Sequence, residues 1–93
     1  MHNLNIPIIL LAAGQSSRMR RRDKLLERVD GQPLLRRQAA MALAVTEAPV
    51  LVALPAAPHP RYDAIEGLAV TQVPVPDAAE GMNASLRRCF AAL

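Results

Sequence analysis

Two short runs, Ile8-Ile9-Leu10-Leu11 and Val50-Leu51-Val52-Ala53-Leu54, are apolar at every position. A run of that length without polar alternation reads as a strand covered on both faces, as in a parallel sheet. The stretch between them reads as helix. Pro33 suits a first helical position. Leu35, Ala39, Ala42 and Leu43 then recur at i, i+4, i+7 and i+8, which is one helical face, with Arg36, Arg37 and Gln38 largely off it. The spacing predicts a helix over 33–46, stopped by Pro49, and hence a β-α-β unit of expected right-handed crossover.

The rest of the chain extends this pattern. Glu27 to Val29 reads as a small extended piece, and Asp30-Gly31 as a turn. Three prolines between Pro55 and Pro60 predict a rigid loop, followed by a short helical piece over 63–66. Leu68 to Val73 reads as a third strand, ended by Pro74 and Pro76. Ala78 to Gly81 reads as a loop. A final helix is expected from Asn83, its N-cap, with Leu86, Cys89, Phe90 and Leu93 on one face. The order β-α-β-(α)-β-α predicts an α/β, doubly wound domain over 1–93. The last helix has no stop signal and three strands make a narrow sheet, so the natural domain is expected to continue past Leu93. An unfinished sheet also leaves an open edge that invites self-association.

Composition narrows the class. With no Trp, one Phe and one Tyr in 93 residues, the core must be aliphatic. A single cysteine, Cys89, allows no internal disulfide and fits a reducing, cytoplasmic setting. The zinc-ligand candidates, His2, His59 and Cys89, are too few and too far apart for a structural site. The apolar run Ile6 to Ala13 is followed, not preceded, by cations, which is the wrong order for a secretory signal. No run is long enough to cross a membrane.

Charge is the most local property of the chain. Five cations, Arg18, Arg20, Arg21, Arg22 and Lys24, surround one acid, Asp23, so residues 18–24 carry +4 while the whole chain carries +3. This cluster follows the end of the first strand at Leu11-Ala12-Ala13-Gly14. In open α/β sheets ligands bind at the carboxyl ends of strands. Small residues there let a phosphate approach the backbone, whose amides can form an anion nest. The stretch lacks the GxxxxGK[ST] and GxGxxG fingerprints. Arginine forks and a lysine point charge suit phosphate oxygens, although five cations cannot all reach one ligand. Lys24 is favoured because Leu25-Leu26 anchor it, and Arg20, Arg21 and Arg22 are expected in solvent. A second loop, Glu80-Gly81-Met82-Asn83-Ala84-Ser85, leads into a helix N-terminus, an anion-favouring place with a glycine and a hydroxyl. Taken singly, each feature also has a plain reading: a tight turn, a solvated charge run, an ordinary helix cap. A nucleic-acid surface is disfavoured because the charge is confined to one loop and aromatic residues are scarce.

Together these segments resemble one family. Leu11-Ala12-Ala13-Gly14-x-Ser16-x-Arg18-Met19 followed by Lys24-Leu25-Leu26 is similar to the N-terminal signature of MobA-like nucleotidyltransferases, LAAGxSxRMG and then K-L-L. Asp30-Gly31-x-Pro33-Leu34-Leu35 matches their D/N-G-x-P-L-L, and Gly81-Met82-x-x-Ser85-Leu86 matches the GMxxSL of the molybdopterin cytidylyltransferase-like branch. The resemblance implies a Rossmann-like, three-layer α/β/α nucleotidyltransferase fold, here with an incomplete parallel sheet. It implies transfer of a nucleoside monophosphate, CMP by its LAAG and GMxxSL wording, from an NTP to a phosphorylated acceptor such as molybdopterin, with release of pyrophosphate. Carried over residue by residue, Leu11, Ala12, Ala13 and Gly14 would hold the nucleotide through their backbone. Arg18 and Lys24 would bind the triphosphate and stabilise charge on the α-phosphate, and Gly81 and Ser85 would contact base or ribose. Two departures stand out. The family usually has Gly where this chain has Arg20, and the Asp-containing motif that binds Mg²⁺ in the family is absent from this sequence. Mg²⁺ is thus implied as a cofactor without its carboxylate. The chain looks like the nucleotide-binding half of an enzyme. The main rival is a non-catalytic NTP-binding or partner-binding fragment.

Overall fold

The computed structural model describes residues 5–14, 23–76 and 82–93, apart from the side chain of Met82. Its central element is β4 (Val50–Leu54), every residue of which is buried. β4 lies between β1 (Ile8–Leu11) and β5 (Thr71–Pro74), parallel to both, with Leu11 opposite Ala53 and Leu54 opposite Pro74. Alternate side chains of β4 leave on opposite faces, as the strand period of two requires. Val52 and Leu54 enter a core with Ala12, Leu35, Ala39, Ala64 and Ile65, to which Leu25 and Leu26 are packed. Leu51 and Ala53 enter another with Ala13, Val73, Val75, Ala84 and Cys89. α1 (Leu34–Val45) and α2 (Pro60–Ala64) supply the first core, and α3 (Met82–Ala92) supplies the second. The result is three layers, α/β/α, in a Rossmann-like arrangement around a three-stranded parallel sheet.

The first strand departs from the expectation of complete cover. Ile8, Ile9 and Leu10 are half-buried and Leu11 is 42% exposed, because β1 has a partner on one side only among the described residues.

Between β1 and α1 the chain forms a hairpin of β2 (Arg28–Val29) and β3 (Gln32–Pro33). Asp30 (φ 55°) and Gly31 (φ 82°) are both left-handed, the pair of conformations a two-residue hairpin turn requires. Pro33 is the last residue of β3, with an extended ψ of 142°, so α1 begins one residue later than predicted. Leu35, Ala39 and Ala42 are buried as the periodicity demanded, and Leu43 is half-buried. Thr46 adopts extended backbone and ends the helix. Its hydroxyl donates to the Ile6 carbonyl at 2.7 Å and accepts from the amides of Ile6 and Ala48, tying α1 to the chain ahead of β1.

Three other boundaries move for physical reasons. α2 occupies Pro60–Ala64, earlier than the expected 63–66, because Pro60 serves as its first residue and the His59 Nδ1 accepts the Arg61 amide hydrogen as N-cap. His59 is therefore half-buried, not solvent-exposed as an isolated histidine would suggest. β5 starts at Thr71; Leu68 and Val70 pack against the core before the strand begins. α3 packs through Ala84, Ser85 and Cys89, while Phe90 and Leu93 are 62% and 57% exposed. The buried face is made of small side chains, which let the helix approach the sheet closely, so the larger apolar residues misled the pattern. Asn83 lies inside this helix and is exposed, so it is not the cap. Cys89 is fully buried, and burial pushes its thiol pKa up. Among the described residues no helix is long and apolar enough to cross a membrane.

Candidate nucleotide site

Because all three strands of the main sheet run parallel, their carboxyl ends, and the chain leaving them, lie at one edge. Ala12 and Ala13 follow β1 there and are buried, their side chains in opposite cores. What they offer a ligand is therefore backbone, and the Ala12 amide already donates to the Ala53 carbonyl at 2.8 Å, prolonging the β1–β4 ladder. Gly14 is exposed, and among the described residues a Cβ built on it would meet nothing within 4 Å. Leu11, the last residue of β1, is exposed as well.

The residue that organises this edge is Arg61, on α2, only 3% exposed. Its Nη1 donates to the carbonyls of Ala12 and Gly14, each at 2.6 Å. Its Nε and Nη2 donate to Asp23, at 2.8 Å to Oδ2 and 3.1 Å to Oδ1, a bidentate fork. One guanidinium thus ties the exit of β1 to the residue at which the chain begins a 3-10 turn, Lys24–Leu26. Asp23 is the N-cap of that turn, its Oδ1 accepting from the Leu25 amide at 3.1 Å. Partial burial of the Asp23 carboxyl opposes its ionisation, but the hydrogen bonds and positive charge of Arg61, the Leu25 amide and the nearby His59 outweigh it and hold the pKa below the usual carboxylate range.

Lys24 is exposed and opens the 3-10 turn, with Asp23 clamped before it and Leu25 and Leu26 packed on the core after it. Its backbone is therefore fixed on both sides, as the leucine pair suggested. Ser85 lies in the first turn of α3 and is 5% exposed. Its neighbour Ala84 shares a core with Ala13, which sets the start of α3 beside the exit of β1. The structure thus gathers Leu11 to Gly14, Lys24 and the first turn of α3 at the carboxyl edge. Arg18 and Gly81 lie outside the described residues, as do His2, Arg20, Arg21, Arg22 and the loop at 78–81.

Among the described residues no three His, Cys, Asp or Glu side chains converge to hold a metal ion. Asp23 is committed to Arg61. These residues do not fit a Mg²⁺ site.

Arg61 escaped sequence reasoning, His59 entered it only as a rejected zinc-ligand candidate, and Asp23 only as a charge to subtract. The usable signal was thin. Arg61 is the sole Lys, Arg, Asp or Glu between Ala48 and Tyr62. A lone charge amid an apolar strand and a proline loop is placed to be buried against a partner, but nothing in the spacing named that partner, 38 residues away.

The sequence profile of the MobA-like NTP transferase domain matches residues 8–93. No curated protein and no solved structure matches the chain.

Proposed function

The chain belongs to the MobA-like NTP transferase family, a membership that implies nucleotidyl transfer from an NTP, and on that footing we propose that it binds CTP and serves transfer of CMP to a phosphorylated acceptor such as molybdopterin, with release of pyrophosphate. The observation that carries the reading is the hydrogen-bonded arrangement around Gly14 and Lys24 at the carboxyl edge. A backbone exit open to solvent and an exposed lysine are joined through one buried guanidinium. Charge supports it too. The negative charge of Asp23 is matched by Arg61, so Arg18 and Lys24 are not offset by that acid and can act on a triphosphate. In this proposal the backbone of 11–14 cradles the phosphates. Arg18 and Lys24 neutralise charge that develops on the α-phosphate as the bond to pyrophosphate breaks. Gly81 and Ser85 meet the base or ribose. A cytoplasmic location belongs to the same proposal, with no nucleic acid or membrane as partner; Mg²⁺ enters it only as the family's expected cofactor, for which the described residues supply no carboxylate site.

A second reading, an NTP-binding module without catalysis, is favoured by one observation: the described residues assemble no metal-binding carboxylates. One assay separates the two. The chain is incubated with labelled CTP, Mg²⁺ and molybdopterin, and both thermal protection and pyrophosphate are followed. Both readings expect protection by CTP. Pyrophosphate release selects the transferase, and protection without release selects the binding module. Failure of CTP and of every other NTP to protect the chain contradicts both.

A further inference from the structure

We infer that Arg61 is a positioning residue for NTP binding, acting as a clamp that sets the β1 exit and Lys24 relative to one another; this rests on the nucleotide-binding reading of that edge. Arg61 comes from α2, and nothing assigns α2 a part in the site. Its side chain is almost wholly buried, yet the carbonyls of Ala12 and Gly14 both turn to a single nitrogen of it. In a trans peptide the carbonyl and the following N–H point to opposite sides. With the Ala12 carbonyl drawn onto Arg61, the Ala13 N–H is directed away from the guanidinium. The cation thus excludes itself from the ligand while fixing the planes of the peptides that would face it. The other edge of the same guanidinium grips Asp23, whose Oδ1 caps the turn that starts with Lys24. The two ends of the segment that leaves at Gly14 and returns at Asp23 are therefore held by one rigid, planar group. Lysine, a point charge on a flexible stem, could not make four directed bonds of this kind.

A positioning role and a merely stabilising one differ in what they do to affinity once folding is accounted for. Arg61→Met and Asp23→Asn break the clamp from its two sides, and the asparagine variant keeps shape and two carbonyl bonds should the first fail to fold. Thr46→Val is the control. It removes three hydrogen bonds that tie Ile6 and Ala48, ahead of β1 and β4, to the end of α1, away from the carboxyl edge. CTP affinity is measured by calorimetry on each folded variant below its unfolding range, beside amide hydrogen exchange of residues 12–14 and 23–26 without nucleotide. Misplacement of binding groups predicts that both clamp variants lose about tenfold or more in CTP affinity. Faster exchange at both segments is expected with it. Thr46→Val, a distant site, stays within about twofold of the parent. Arg61→Lys, which keeps the charge and loses the fork, is not expected to restore affinity. Parent-like CTP binding by a folded Arg61→Met or Asp23→Asn overturns the clamp alone. A parent chain that binds no NTP overturns the nucleotide reading and the clamp's role in it together.

Discussion

The Arg61–Asp23 pair makes a quantitative demand on stability. The two side chains are 4% and 19% exposed, and the pair is bidentate. Removing one member of a buried, hydrogen-bonded pair costs about 3–5 kcal/mol. The residual exposure of Asp23 lets its carboxylate recover some hydration, so the lower end, about 3 kcal/mol, is expected for Arg61→Met at pH 7. With an unfolding entropy of about 2.1 cal/mol/K per residue, that loss lowers Tm by roughly 15 °C for a chain of this length. Much of it is the penalty of a stranded partner, so Arg61→Met/Asp23→Leu should be less destabilised than the sum of its single variants. The coupling should reach about 2 kcal/mol, above the range of exposed ion pairs. Urea unfolding of the four proteins at pH 7 measures it. The pH adds a second, signed test. The folded carboxyl pKa is depressed, so its stabilisation is fully present above the unfolded value of about 4 and is lost as pH falls through the folded value. The coupling must then shrink below about pH 4 and be unchanged between about pH 5 and 7. A coupling under about 0.5 kcal/mol at pH 7, or one that grows on acidification, refutes the reasoning.

Further outcomes follow from individual residues. Gly31→Ala, at φ 82° and with no described atom within 4 Å of the added Cβ, should cost about 1 kcal/mol through backbone strain, read by urea unfolding. Val52→Ala removes two methyls from the fully buried middle of β4 and should cost about 2–3 kcal/mol; a loss below about 1 kcal/mol would mean that this core is loosely packed. Cys89 is buried with a raised thiol pKa, so a water-soluble disulfide reagent should modify it at the rate at which the chain opens, with rapid reaction only in denaturant. Immediate labelling of native protein contradicts the packing of α3.

Much of this architecture was legible in the sequence, for identifiable reasons. β4 and α1 are set by patterns that tertiary context reinforces: an unbroken apolar run needs cover on both faces, and Leu35, Ala39 and Ala42 need one neighbour. The Asp30-Gly31 turn was legible because few residue pairs accept two left-handed conformations. α3 was found as a helix and Cys89 of its expected face is buried, but Phe90 and Leu93 are not, since period analysis weights large apolar residues and this interface is built from Ala84, Ser85 and Cys89. α2 was displaced because prolines that break structure inside a helix begin one at its first position, and only the His59 cap distinguishes the two. Motif spacing named Gly14, Lys24 and Ser85 as candidates, and all three lie toward the carboxyl edge of the sheet. The Arg61 clamp was not legible, because an ion pair across 38 residues leaves no periodic trace. Family membership fixes nucleotidyl transfer in general terms.

The central claim, that this edge of the sheet is a nucleotide site with Lys24 at its centre, is tested most directly by titrating CTP against the parent chain and Lys24→Ala while following thermal unfolding. Lys24 is exposed, so the substitution should leave the unliganded Tm within a degree or two, the small effect usual for surface changes. The account predicts that CTP raises the Tm of the parent in proportion to the logarithm of its concentration and leaves Lys24→Ala nearly unmoved. Equal protection of the two proteins, or protection of neither, contradicts it.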